Sequence, residues 1–304
     1  MGMKISLRTR IAAGTLVVAT GALVAVTNYI DIHRPLKVWN ETPVEMHASL
    51  VTIENDMVAR MEAEEVATII DKIDTISLAS YAEIQEARAL YENASGDARA
   101  YIDEAHLLEA EEAYAQLEAE REEQLAEARA NGDIDAMLEY ASCDVQYSGY
   151  ENLDAQIQQL IQNATTSDMS RSEQLKACYI YMIENYYYEY NYNYSYGNGP
   201  KSVAWANAFL RDGYGSCNHW SATFMYVARA LGYECDLYYG GTATSSGSSV
   251  EHYWPVLRID GTEYVFDPQV EADIARKAGG IRYMRYGITG DVVAQKYYFS
   301  QIVQ

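Results

Sequence analysis

The chain has 304 residues, with 22 basic against 44 acidic side chains and a formal net charge of −22. Hydrophobic residues make up 49% and charged residues 22%, a globular make-up that excludes wholesale disorder, a collagen-like repeat or a multi-span membrane protein. Such an acidic chain lacks the lysine and arginine that neutralise phosphates, so no nucleic-acid partner is expected.

The length allows about two domains. At the N-terminus, Lys4, Arg8 and Arg10 precede the uncharged run Ile11–Val26. That run is long for the core of a signal peptide and short of the ~20 apolar residues of a membrane span, which extension to Ile30 would reach. Residues 1–34 are therefore expected to be a signal sequence or a retained single-pass anchor, and both readings stand. Positive charge stays on the cytoplasmic side. The rest of the chain is then expected outside the cell, membrane-bound if the segment is kept and secreted if it is cleaved.

From Val44 to Ala130 there is no proline and Gly96 is the only glycine, and most residues favour helix. Three helices are predicted, near 44–74, 80–94 and 98–130. A capping box of Ser80 and Glu83 opens the second, and Asp97 caps the third. Short connections imply antiparallel packing, so residues 40–132 are predicted to form a helical bundle or stalk. Within it, Ile73, Ile76 and Leu78, then Ala87-Arg88 and Tyr91, then Leu108-Glu109-Ala110-Glu111 resemble a three-helix module of Gram-positive surface proteins. The resemblance spans roughly residues 55–120 and implies a spacer or binding stalk without chemistry of its own. A generic solvated coiled coil is the alternative.

After Ser142 the pattern changes. Ser170 and Glu173 form a capping box, and Leu175, Cys178, Tyr179, Met182 and Ile183 mark the buried face of the helix that follows. The run Tyr186–Tyr196 carries helix into loop; it is either an aromatic surface for substrate or a loop over the core. Gly213-Tyr214-Gly215-Ser216-Cys217 then leads into an amphipathic helix, with Trp220, Phe224, Val227 and Leu231 in line with Cys217 on its buried face and Gly232 as C-cap. A thiol at the first turn of a helix feels the positive end of the dipole, which favours the thiolate. The first-turn amides suit an oxyanion. Cys217 is therefore a candidate nucleophile.

Its base must come from elsewhere, because residues one or two apart on a helix do not face each other, which sets His219 aside. The strand Glu251–Ile259 offers His252. Asp260-Gly261 is a strong two-residue hairpin signal, with Thr262–Phe266 as the returning strand. With Ile259 opposite Thr262, Trp254 faces Asp267, and His252 lies diagonal to Asp267 on the same face, about 7–8 Å away. A slip of one residue would separate them. The register thus predicts a carboxylate that orients an imidazole, and Cys217 completes a nucleophile–base–orienter set. Trp254, Tyr214 and Tyr196 are candidate substrate contacts. The stretch Gly240–Ser249 is read as a loop leading to His252, either a lid or a plain hairpin loop. Cys143, Cys178, Cys217 and Cys235 leave two disulfides open as another use of Cys217. No Cys-x-x-Cys or His-x-x-x-His spacing exists, so no metal or cofactor is expected.

Together these elements resemble the transglutaminase-like superfamily of papain-type thiol enzymes. The chain carries Gly215-Ser216-Cys217 at a helix start, Leu231-Gly232-Tyr233 at its end, His252-Tyr253-Trp254, and Asp260-Gly261 … Tyr264 … Asp267-Pro268, in that order. The resemblance covers about residues 150–275. It departs from the family at Pro255, Glu263 and Gln269, outside the three chemical positions. It implies a papain-like α+β domain with an antiparallel sheet over residues 145–304, with Cys217 as nucleophile, His252 as general base and acid, and Asp267 as the orienting carboxylate. The implied activity is attack on amide bonds of proteins or cell-wall peptides through a thioester, ending in hydrolysis, deamidation or transamidation. The alternative is a catalytically inactive surface binding module that uses the tyrosine-rich loop and the acidic stalk.

Overall fold

A computed structural model describes residues 43–190, 199–244 and 247–303. The chain divides into two compact units, Met1–Ala119 and Glu120–Gln304. Residues 1–34, read as signal or anchor, lie outside the described residues. No helix among the described residues is long and apolar enough to cross a membrane.

The first unit is helical: α1 (Pro43–Ile70), a 3-10 turn (Leu78–Ser80), α2 (Tyr81–Asn93), α3 (Gly96–Arg99) and the first part of α4 (Ala105–Asn131). Ala59, Ala63, Val66, Ile70 and Ile73 recur every three or four residues and bury one stripe against Ile84, Ala87, Ala98, Leu107 and Ala110. Small alanines dominate that seam, so the helices approach closely. Arg88 binds Glu111 through two parallel contacts of 2.7 Å and Glu104 at 2.6 Å, while the Tyr91 hydroxyl donates to Glu104 at 2.8 Å.

Two details differ from the sequence expectation. The capping box is formed by Ser77 and Ser80, not Ser80 and Glu83, because the 3-10 turn begins one turn earlier. The predicted helix 98–130 is two pieces. Ser95, rather than Asp97, caps α3 by accepting from the Ala98 N–H at 3.1 Å, and Asp103 accepts from the Ala105 N–H at 3.0 Å where α4 begins.

The second unit begins at Glu120, earlier than the boundary read near 145. Leu125, Ala128, Met137, Leu138 and Ala141 belong to its core. After α4 come α5 (Ile134–Tyr140), α6 (Glu151–Ala164), α7 (Arg171–Asn185), β1 (Tyr187–Tyr188), α8 (Lys201–Asp212), β2 (Tyr214–Gly215) and α9 (Cys217–Ala230). Then follow β3 (Cys235–Ala243), β4 (Ser249–Ile259), β5 (Thr262–Val265), α10 (Pro268–Ala278), α11 (Gly290–Lys296) and β6 (Tyr297–Val303). Strands β5-β4-β3-β6 form an antiparallel sheet in that order, and β1 and β2 form a short parallel pair. The unit is a helix-rich α+β fold.

Helix α9 is buried from Asn218 to Ala228, so it is the central core helix rather than an amphipathic surface one. Two of its buried hydroxyls have partners: Ser221 donates to the Tyr253 carbonyl at 2.8 Å and Thr223 to the His219 carbonyl at 2.9 Å. The hairpin after it has the predicted register, with Ile259 opposite Thr262 and Val256 opposite Val265. Asp260 and Gly261 both take positive φ, 47° and 71°, the backbone of a two-residue turn whose twist matches the strands. Gly240 and Gly241 are not part of a loop. They are strand residues paired with His252 and Glu251, so the connection between β3 and β4 is shorter than the Gly240–Ser249 stretch suggested.

Candidate active site

Cys217 is the first residue of α9. The β1–β2 pair sets the chain before it, with Tyr187 beside Tyr214 and Tyr188 beside Gly215. A Cβ on Gly215 would lie 2.7 Å from the His219 Cβ, so only glycine allows this close turn into the helix. Ser216 precedes the helix but does not cap it with its hydroxyl. The Ser216 Oγ instead donates to the Asn218 Oδ1 at 2.5 Å and lies 3.1 Å from His219 Nδ1. The side chain that would ordinarily cover the first-turn amides is thus turned away from them, and the positive end of α9 faces the thiol.

His252 lies on β4 and is 3% exposed. Its Nε2 is 2.7 Å from Asp267 Oδ2, which leaves Nδ1 as the ring nitrogen available to Cys217, whose thiol interacts electrostatically with the imidazole. Its ring is stacked on Trp254, at 6.2 Å and 15°, and also meets Tyr297. Burial disfavours the imidazolium. The Asp267 charge and hydrogen bond, helped by Cys217, outweigh that and hold the His252 pKa above its ordinary value.

Asp267 follows β5 and is the N-cap of α10, with no exposed surface. Its Oδ1 accepts from the Val270 N–H at 3.0 Å, and its Oδ2 accepts from both His252 and the Tyr297 hydroxyl, the latter at 2.8 Å. Burial raises the carboxyl, but the His252 charge and these donors hold it below the usual range. Its backbone is fixed as well: its N–H donates to the Arg285 carbonyl at 2.8 Å, and Tyr179 donates to the carbonyls of Asp267 and Arg285 at 3.2 and 2.9 Å.

Cys217, His252 and Asp267 are therefore brought together, from α9, β4 and the β5–α10 junction. The other expectations fare differently. Trp254 is 1% exposed and walls the histidine, so it offers no surface to a substrate. Tyr214 is 42% exposed beside the turn into α9. Tyr196 lies outside the described residues. His219 is buried, and burial pushes its pKa down to about 4, so it is neutral and faces Ser216 and Asn218. The described cysteines are all free thiols, and burial pushes Cys178 up to about 12. Among the described residues, no group of His, Cys, Asp and Glu is arranged to hold a metal ion.

Several contributors had no motif to announce them. Tyr297 and Arg285 lie beyond the hairpin. Tyr188 and Tyr239 have phenols that interact electrostatically with Cys217, and Tyr188 is pushed up to about 12, mainly by burial. The tyrosine run from Tyr186 was the one sequence signal that reached Tyr188.

Residues 158–268 match the Transglutaminase-like superfamily, and this stretch, which contains Cys217, His252 and Asp267, is a transglutaminase-like domain. Two solved structures are similar at 17% identity. One is described as a candidate cysteine protease from Cytophaga hutchinsonii, with a TM-score of 0.31 over 38% of this chain and 37% of that chain. The other is a TGase, with a TM-score of 0.28 over 48% of this chain and 37% of that chain. This chain thus matches little more than a third of the length of each solved chain. No curated protein matches the chain. The family match leaves out residues 55–120, whose resemblance to a three-helix surface module rests on sequence alone.

Proposed function

From a transglutaminase-like domain that joins thiol, imidazole and carboxylate, we propose a thiol enzyme that attacks amide bonds of proteins or peptides. One observation carries this reading. His252 gives Nε2 to a fully buried carboxylate at 2.7 Å and keeps its other ring nitrogen for a thiol at a helix N-terminus.

Chemically, the Cys217 thiolate adds to the amide carbon, forming a C–S bond while the carbonyl oxygen becomes an oxyanion at the first-turn amides of α9. His252 Nδ1 then gives its proton to the amide nitrogen as the C–N bond breaks, and a thioester remains. Water next adds to the thioester, passing a proton to His252, and the C–S bond breaks to release a carboxylic acid. An amine in place of water would give a new amide. Hydrolysis or deamidation is the simpler course, since it needs no protected path for a second amine. Asp267 holds the imidazole and stabilises its protonated form.

Lys4, Arg8 and Arg10 ahead of an apolar run support an enzyme acting outside the cytoplasm, anchored or secreted, with surface proteins or cell-wall peptides as substrates. The helical unit, with its self-contained salt bridges, suits a spacer.

Hydroxylamine trapping tests the reaction. Glutamine-containing and branched peptides are incubated with the protein and hydroxylamine, and hydroxamates and acyl-protein masses are read by mass spectrometry. The proposal expects hydroxamate and a Cys217 acyl adduct, both lost in Cys217→Ala. Hydroxamate at equal rate from Cys217→Ala, or no adduct with any amide donor, contradicts it.

A further inference from the structure

The thiol, imidazole and carboxylate account for three side chains, yet the Asp267 carboxylate has a further buried partner. Tyr297 is 5% exposed at the first position of β6, the edge strand that pairs with β3. Its hydroxyl donates to Asp267 Oδ2, the oxygen that also takes the His252 proton. Its ring contacts Trp254 at 5.1 Å and His252 at 6.3 Å. From the other side comes Arg285, 8% exposed, with its guanidinium carbon 5.9 Å from the ring centre. A phenol has one proton. An ionised carboxylate can only accept, so that proton is directed at Asp267.

We propose that Tyr297 is a positioning residue for the active site. It fixes the plane of the Asp267 carboxylate and keeps it ionised, so that His252 is held with Nδ1 toward Cys217. The inference rests on the thiol-enzyme reading above. It also means that the transglutaminase-like match, which ends at residue 268, does not contain the whole site: edge strand β6 completes it. The charged and titratable groups facing this cluster are His252 from β4, Cys217 from α9, Tyr179 from α7, Glu271 from α10 and Arg285 from the following loop. Glu271 is spent on that loop, accepting the Arg282 and Arg285 N–H groups at 2.7 and 2.9 Å. It holds Arg285 in position and does not compete for the phenol.

Tyr297→Phe removes one oxygen and leaves the ring packing. The test is the rate of Cys217 alkylation by iodoacetamide across pH 4 to 9, alongside a thermal melt. Losing a donor makes Asp267 easier to protonate, so the acidic limb of the profile should move up by about one pH unit with little change in melting. A merely structural tyrosine would lower the melting temperature and leave the limb in place, which overturns the proposal. Incorporating 3,5-difluorotyrosine at position 297 decides the case if Tyr297→Phe fails to fold. It is a stronger donor, so the limb should move down, and an unmoved limb contradicts the proposal. Failure of the underlying reading has a different mark: in otherwise wild-type protein, Cys217 labelling would not depend on His252, and both ideas would fall together.

Discussion

Each compact unit contains a cluster of arginine, tyrosine and carboxylate, and the two clusters do opposite things. In the helical unit Arg88 meets Glu104, Glu111 and, through Glu104, Tyr91, with Arg88 19% exposed and the two glutamates 32% and 30% exposed. One guanidinium there serves both carboxylates. Around Asp267 the same residue types are buried, and a histidine is inserted whose second nitrogen is available to a thiol. A polar network that satisfies itself is a tie between helices. One that leaves a ring nitrogen pointed at a nucleophile holds chemistry ready. Sequence composition alone does not separate the two; burial and the inserted histidine do.

Breaking the second cluster should have the largest effect. Cys217→Ser removes the sulfur, so no thioester can form, and Asp267→Asn is expected to cut thioester formation by about 10⁴-fold. Asp267→Asn is the sharper probe. Its amide oxygen can still accept from the Val270 N–H, so α10 keeps its cap, and the rate should fall by far more than the lost pairing with His252 lowers the melt. Parallel losses of rate and stability would mean that Asp267 serves the fold alone.

Acid should separate the units next. Folded His219 is neutral with a pKa of about 4, whereas in the unfolded chain it takes up a proton near its ordinary value of about 6.5. The unfolded state then binds more protons, so the stability of the second unit should fall by on the order of 2–3 kcal/mol as pH drops from about 6.5 toward 4. His252 has the opposite sign: its raised folded pKa contributes stability that is present below about 6.5 and lost as pH rises through the folded value. Asp267 contributes above about 3.9, and that part is lost as pH falls through its lowered folded pKa. Melts from pH 4 to 9 should show the acidic decline, and His219→Asn should flatten it. A level melt between pH 7 and 4.5 contradicts the burial of a neutral histidine.

Arg88→Ala should cost the helical unit about 1–3 kcal/mol, because two part-buried glutamates lose their partner. Chemical denaturation would measure it, and Cys217 reactivity should stay unchanged. The smallest effect is expected from Gly261→Ala, about 1 kcal/mol for forcing an alanine to a φ of 71°. If that variant also lost Cys217 activation, the hairpin register would be less secure than its pairing implies.

The sequence was most readable where a local rule fixed a long-range contact. Asp260-Gly261 selects a turn whose register is forced, and that register carries His252 to Asp267. The glycine-led entry to α9 was legible for the same reason: Cys217 and the apolar residues behind it lie on one helical line. The transglutaminase-like domain, recognised from these motifs, is supported by the family match at residues 158–268. Tyr297 was not legible, because its contact with Asp267 depends on β6 pairing with β3, and no turn signal links those strands. Trp254 was misread because the alternation that puts it on the face of His252 does not reveal that Tyr297 and Tyr238 close over it. Helix α8 did have a signal, with Val203, Ala206, Phe209 and a left-handed Gly213 after it, masked by the tyrosine and glycine run ahead. In the helical unit, the cap at Ser77 rather than Ser80 reflects two serines three residues apart, between which only the 3-10 turn chooses.

The central claim is that His252 and the start of α9 activate Cys217, and thiol labelling tests it most directly. Iodoacetamide alkylation would be followed from pH 5 to 9 by mass spectrometry at each cysteine, in otherwise unmodified protein and in His252→Ala. Exposed Cys143 serves as the internal standard. The account predicts that Cys217 labels faster than Cys143 at neutral and acidic pH, and that His252→Ala brings its profile back to that of Cys143. A Cys217 that labels no faster than Cys143, or one indifferent to the loss of His252, would contradict it.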